Sequence, residues 1–165
     1  MENKNNTALK IFLFGCGGIV SLAVIIVAGF VVFLISVPEG GVKVGGAVDP
    51  YAVKYLNDRN MLEPGEKVLA YYDATLTMDG TESAILTDKR LIQHMHGGTT
   101  ALRLAEIEDI RHRKESLIGD IIEAEDSNGV MLKIEIAPLN QGETFNNALM
   151  SAWRAARQTP PEVGA

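Results

Sequence analysis

Twenty-seven consecutive residues, Ile11 to Val37, carry no charge. A helix rises about 1.5 Å per residue, and about 20 apolar residues cross the hydrocarbon core of a bilayer. The run is long enough to span with tilt to spare. It predicts a single-pass transmembrane helix over 11–37. Two other uses of such a segment fit less well. A cleaved signal has an apolar core of about 7–15 residues and small residues at its cleavage site. This run is longer, and Pro38 follows Ser36 and Val37. Leu13-Phe14-Gly15-Cys16 is close to a lipid-attachment box, but Phe14 stands where a small residue is usual. Gly17 and Ser21 are four apart, a small-xxx-small spacing that lets two membrane helices approach closely. Glycine is also common in such helices without that role.

The flanking charges give a direction. Lys4 and Lys10 precede the run, and Lys43 and Lys54 follow it. Lys10 sits at its edge, so the positive-inside bias places the N-terminus in the cytoplasm and the following domain outside. The single cysteine, Cys16, lies within the run, so cysteine usage does not identify a redox compartment.

Residues 38–165 hold 13 basic and 20 acidic side chains, a net charge of −7. That balance repels phosphate backbones and anionic lipid surfaces. Nucleic acid is therefore not an expected partner.

The chain divides into a tail over 1–10, the apolar run over 11–37, a glycine-rich tether over 38–49, one domain over 50–158, and a tail over 159–165. Asp49 and Pro50 predict an N-cap and first helical position of a short leading helix ending near Asn57. Short strand-like runs follow at Lys67–Thr77, Ser83–Leu86, Arg90–Met95, Thr99–Leu104, Ile107–Arg113, Asp120–Glu125 and Val130–Ala137. Asp79-Gly80 and Asp126-Ser127-Asn128-Gly129 are turn signals between them. In the last run Leu132, Ile134 and Ile136 alternate with Met131, Lys133 and Glu135, the pattern of a strand with one buried face. The period then changes. Phe145, Ala148, Leu149, Ala152, Trp153 and Ala156 form the stripe of an amphipathic helix, with Glu143 near its start and Arg157 near its end. The expected fold is a mainly β, α+β domain: a strongly bent antiparallel sheet of 6–7 strands capped by a C-terminal helix, carried behind a transmembrane helix.

Three segments give this order a family resemblance. They are Leu62-Glu63-Pro64-Gly65-Glu66-Lys67-Val68-Leu69, Ile85-Leu86-Thr87-Asp88-Lys89-Arg90-Leu91-Ile92, and Leu104-Ala105-Glu106-Ile107-Glu108-Asp109-Ile110. With the helix after Thr144 they resemble the bacterial PH-like domains of the pleckstrin-homology superfold, over residues 60–157. The matched motifs specify turns and core positions, and they carry no catalytic signature. Lipid-binding members of that superfold place basic residues around the first hairpin. Here that loop, Thr77 to Ser83, holds Asp79 and Glu82 and no base, so phosphoinositide binding is not expected.

Each candidate chemistry has a plainer reading. Arg111, Arg113 and Lys114 form the densest basic run and are the candidate anion or lipid contact; nearby Glu106, Glu108, Asp109 and Glu115 suit a solvated, balanced strand end. His94 and His96 share a strand face, and with His112 they are conceivable metal ligands. No further ligand stands at a recognisable spacing, so exposed, unliganded histidines are expected. Glu123, Glu125 and Asp126 cluster at a turn, where solvation is expected rather than acid–base work in a cleft. Trp153 is expected in the core. No phosphate loop, nucleophile elbow or Cys/His dyad occurs. The sequence therefore points to a binding or assembly module tethered in a bacterial inner membrane. It would recognise a protein segment or associate with itself; the alternative is a lipid-contacting module using residues 111–114. No enzymatic activity and no cofactor are expected.

Overall fold

The structure, a computed structural model, describes residues 24–29, 41–75 and 79–158. The chain divides into two units, Met1–Pro38 and Glu39–Ala165. In the first, residues 24–29 are helical with exposed side chains. Six residues rise about 9 Å, under a third of a hydrocarbon core about 30 Å thick. Among the described residues no helix is long and apolar enough to cross a membrane. The transmembrane helix expected over 11–37 is therefore not part of the observed fold class. Gly17 and Ser21, its expected packing positions, lie outside the described residues.

The second unit is a mostly β domain with two antiparallel sheets and a C-terminal helix. The first sheet runs in sequence order through β1 (Lys43–Val44), β2 (Val68–Asp73), β3 (Ser83–Thr87), β4 (Arg90–Met95) and β5 (Gly98–Arg103). The second contains β6 (Ile107–Glu115), β7 (Gly119–Asp126) and β8 (Met131–Ile136). Helix α1 spans Pro50–Asp58 and helix α2 spans Gly142–Gln158. The strands β2 to β8 followed by α2 have the element order that the resemblance implies.

The expectation of one bent sheet of 6–7 strands is corrected to two sheets, with eight strands among the described residues. The break lies at Leu104–Glu106, a 3-10 turn between extended Arg103 and Ile107. It carries the chain from one sheet to the other, so β5 and β6 do not pair. Two contacts pin this corner: the Ser127 amide donates to the Glu106 carbonyl, and Trp153 Nε1 donates to the Ile107 carbonyl at 2.9 Å.

The first sheet is covered on both faces. Ala70, Leu86, Leu91 and Leu102 stand in register across β2 to β5. They face the main core with Ile122, Ile134, Phe145 and Leu149. On the opposite face Tyr71, Ile85 and Ile92 are also in register, and they pack against Ala52 and Leu56 of α1. This explains why all of β3 is buried, whereas β8 shows the strict alternation of a strand with one covered face.

Part of the expected tether belongs to the domain. Val42 is buried, its amide donates to the Asn140 carbonyl, and Lys43–Val44 pairs with β2. Asp49 precedes α1 in an extended conformation, but its side chain makes no cap bond. Pro50 alone supplies the expected start signal.

Candidate functional site

The structure separates the residues that the sequence suggested as sites. Arg111 lies 3.1 Å from Asp109 and 3.2 Å from Glu125; Arg113 lies 3.1 Å from Glu115 and 2.8 Å from Glu123. The two arginines of the basic run are thus each set between two carboxylates. Hydrogen bonding from Arg113 holds the Glu123 carboxyl below its usual range. Lys114 is exposed on the same strand. Asp126 accepts from the amides of Val130 and Asn128, which lowers its carboxyl and closes the β7–β8 turn.

The three histidines do not converge. His94 is buried, contrary to expectation, because α1 covers the outer face of the first sheet. Its Nδ1 lies 2.8 Å from Thr99 Oγ1 and its Nε2 3.3 Å from the Tyr55 hydroxyl. His96 is exposed at a turn with φ 51° and faces Glu82 at 3.4 Å. His112 Nε2 lies 2.8 Å from Oδ1 of the buried Asp120. Among the described residues no group of three or more His, Cys, Asp or Glu side chains is placed to hold a metal ion. Trp153 is half-buried against the core rather than inside it, with Arg157 over its ring.

A concave feature of the domain lies elsewhere. A cavity of about 390 Å³ opens between the inner face of the first sheet and β8. Its floor is a register row, Tyr72 on β2, Ala84 on β3 and Gln93 on β4. Ala74, Met95 and Ile134 add apolar surface, and Glu82, Lys133 and Glu135 stand at its rim. Gln93 Nε2 donates to the Lys133 carbonyl at 2.7 Å, and the Ala137 amide donates to the Tyr72 hydroxyl at 3.2 Å.

Those two bonds orient the edge of β8. Backbone groups of alternate residues point to the same side of a strand. Lys133, Glu135 and Ala137 therefore direct their N–H and C=O groups away from β7, toward the cavity. β8 pairs only with β7 in its sheet, so Glu135 presents an unpaired donor and acceptor among the described residues. Lys133 and Glu135 lie 2.5 Å apart, and with Glu82 they leave the rim one negative charge in excess.

A buried polar hub fixes the wall of the cavity next to Ala74 and Glu82. Asp73 Oδ2 accepts from Tyr51, Tyr71 and the Gly80 amide, while Oδ1 accepts from the amide and hydroxyl of Thr75. Burial, together with the Asp73 carboxylate, pushes both tyrosine hydroxyls far above their usual range. They remain neutral donors. The Ala74 amide then donates to the Glu82 carbonyl at 2.8 Å, closing the first hairpin. Residues 76–78 of that hairpin lie outside the described residues.

Sequence reasoning missed the cavity because its lining comes from four strands, and only the register brings Tyr72, Ala84 and Gln93 together. The available signal was Gln93, a polar residue on the strand face that it shares with Leu91 and Met95.

No family model matches the sequence, and no curated protein matches it. Among solved structures, the chain is similar to a DUF1696 family protein with a pleckstrin-homology domain from Shewanella loihica. The two share 10% identity with a TM-score of 0.49, over 64% of this chain and 94% of that one.

Proposed function

We propose that this chain is a PH-like binding module that takes an extended segment of another protein along β8. We place it at a bacterial membrane, with the domain outside the cytoplasm. The carrying observation is the outward edge of β8 at Glu135, set beside the apolar cavity. An added strand gains main-chain hydrogen bonds from such an edge and specificity from alternate side chains entering a pocket. Here one apolar side chain of the segment fills the space over Ala84 and Met95. The acidic excess of Glu82 and Glu135 favours a neutral or basic segment over a phosphate-bearing one. We read the domain as a binder rather than an enzyme, because among the described residues that line its cavity no nucleophile and base stand in hydrogen-bond reach of each other. The lipid reading based on Arg111, Arg113 and Lys114 has no supporting observation, since both arginines are already held by acids.

The test is a photo-reactive residue placed at Met95 in the full chain, with the same residue at Asn128 as control. A discrete protein adduct is expected at Met95 alone, and it should disappear when Glu82 and Glu135 are both changed to Lys. An adduct of twice the chain mass identifies the segment as part of a second copy. Equal crosslinking at both positions would sink the reading.

A further inference from the structure

We propose that Gln93 is a latch on the edge of β8. A protein segment pairs along the whole strand only by displacing the Gln93 side chain from the Lys133 carbonyl. This role rests on the strand addition proposed above at Glu135.

The latch follows from where Gln93 stands. Successive side chains of a strand point to opposite faces, so Gln93 shares a face with Leu91 and Met95. Leu91 is fully buried and Met95 is 44% exposed. Gln93 therefore marks the line where the core gives way to the open cavity. Its register neighbours are Ala84 on β3 and Thr100 on β5, both short. The long amide side chain leans past them to β8, where Nε2 donates to the Lys133 carbonyl at 2.7 Å. Nε2 also lies 3.2 Å from Met95 Sδ, a weak acceptor.

Lys133 lies in the middle of β8. By alternation Met131, Lys133 and Glu135 are the residues of this strand whose N–H and C=O groups face away from β7. Past the strand the chain closes its own edge: the Ala137 amide donates to the Tyr72 hydroxyl, and the Ala137 carbonyl accepts from the Asn140 amide. The Gln93 bond then divides what is left, with Glu135 on one side and Met131 on the other. A continuous added strand must pass through the place that the Gln93 amide occupies.

Opening the latch strands no buried group. Gln93 is half-buried at the cavity, and its amide is open to water there. One neutral hydrogen bond to Lys133 is exchanged for another, and the segment gains pairing at Met131 as well as at Glu135. Gln93 therefore holds off short strands and admits a segment long enough to run from Glu135 to Met131.

The test uses the full chain and a fluorescein-labelled peptide of alternating leucine and lysine. The same peptide, N-methylated along its backbone, keeps the charge and lacks the strand-forming donors. Fluorescence anisotropy should show binding of the plain peptide and not of the methylated one. Gln93→Met keeps the side-chain length and removes the donor. It should bind the plain peptide about fivefold tighter, the fold-change of one net neutral hydrogen bond. A second measurement uses the full chain carrying Gln141→Asn and Gln158→Asn, where Gln93 is the one glutamine left. Its nitrogen-labelled side-chain amide signal should move when the plain peptide is added. Unchanged or weaker binding by Gln93→Met, or a gain that the methylated peptide shares, overturns the latch and leaves strand addition standing. Should Gln93→Met fail to fold, the side-chain signal decides, and a signal unmoved at saturating plain peptide overturns the latch. No binding of the plain peptide, or equal binding of both peptides, overturns strand addition and the latch with it.

Discussion

Glu66 grips Arg90 with both carboxylate oxygens. Nε donates to Oε1 at 3.0 Å and Nη2 donates to Oε2 at 2.5 Å, joining residues on either side of the β2–β3 hairpin. The Glu66 side chain has no exposed surface, and its remaining capacity is filled by the Thr87 hydroxyl and the Glu63 amide. Arg90 also donates to the Met61 carbonyl. A bidentate, fully bonded pair of this kind is the geometry in which a buried ion pair is held rather than merely tolerated.

This pair gives the domain an acid-sensitive element. Burial pushes the Glu66 carboxyl up, but the bonds from Arg90, Thr87 and Glu63 outweigh it and bring the pKa from 4.5 to about 2. A carboxyl lowered on folding contributes stability above its unfolded value, and that contribution is lost as pH falls through the folded value. Denaturation midpoints should therefore decline between about pH 4.5 and 2. Glu66→Gln should be less stable at neutral pH and should lose part of that decline. Parallel acid limbs for the two proteins would mean that other carboxylates account for it.

Much of this was legible in the sequence. The segment Leu86-Thr87-Asp88-Lys89-Arg90-Leu91 reads as a turn because each polar residue has a local task. Thr87 Oγ1 accepts from the amides of Lys89 and Arg90, and Asp88 accepts from the Lys67 amide. Period-two alternation located β8, and the stripe from Phe145 to Ala156 located α2. The residues that resisted reading are those whose burial depends on a partner distant in sequence. His94 is buried because α1 covers its strand, and nothing in β4 itself says so. The cavity has the same origin, since a register row is a property of three strands at once.

Asp73 is the second buried carboxylate with a specific task. It accepts five hydrogen bonds, and an amide in its place offers one acceptor oxygen and an NH2 group that faces donors. Asp73→Asn should destabilise the domain by about 2–3 kcal/mol, since buried tyrosine hydroxyls and the Gly80 amide lose their partner. Amide hydrogen exchange at Gly80 should quicken more than at Ile122 in the second sheet. Equal acceleration at both sites would make Asp73 a contributor to global stability alone.

Trp153 separates packing from hydrogen bonding. Trp153→Phe keeps most of the ring but leaves the Ile107 carbonyl without its donor, and should cost about 1 kcal/mol. Trp153→Ala also removes the ring from the core edge, at about 3 kcal/mol. Urea titrations of both variants should show this order, and a Phe variant as unstable as the Ala variant would contradict it.

Two hairpin glycines should respond differently to the same substitution. Gly129 has φ 78° and open space around its Cβ position, so Gly129→Ala costs only the left-handed conformation, about 1 kcal/mol. Gly119 has φ 98°, and an added Cβ would strike the backbone of Ile136 and Ala137, which no side-chain rotation relieves. Gly119→Ala must therefore push β7 away from the end of β8, where Asp120 pairs with Ile136. The expected loss is about 3 kcal/mol or more, the upper range for inserting a methyl group into closely packed surroundings. Thermal melts should rank wild type above Gly129→Ala and Gly129→Ala well above Gly119→Ala. Equal melting temperatures for the two variants would show that the β6–β7 tip yields to the added methyl.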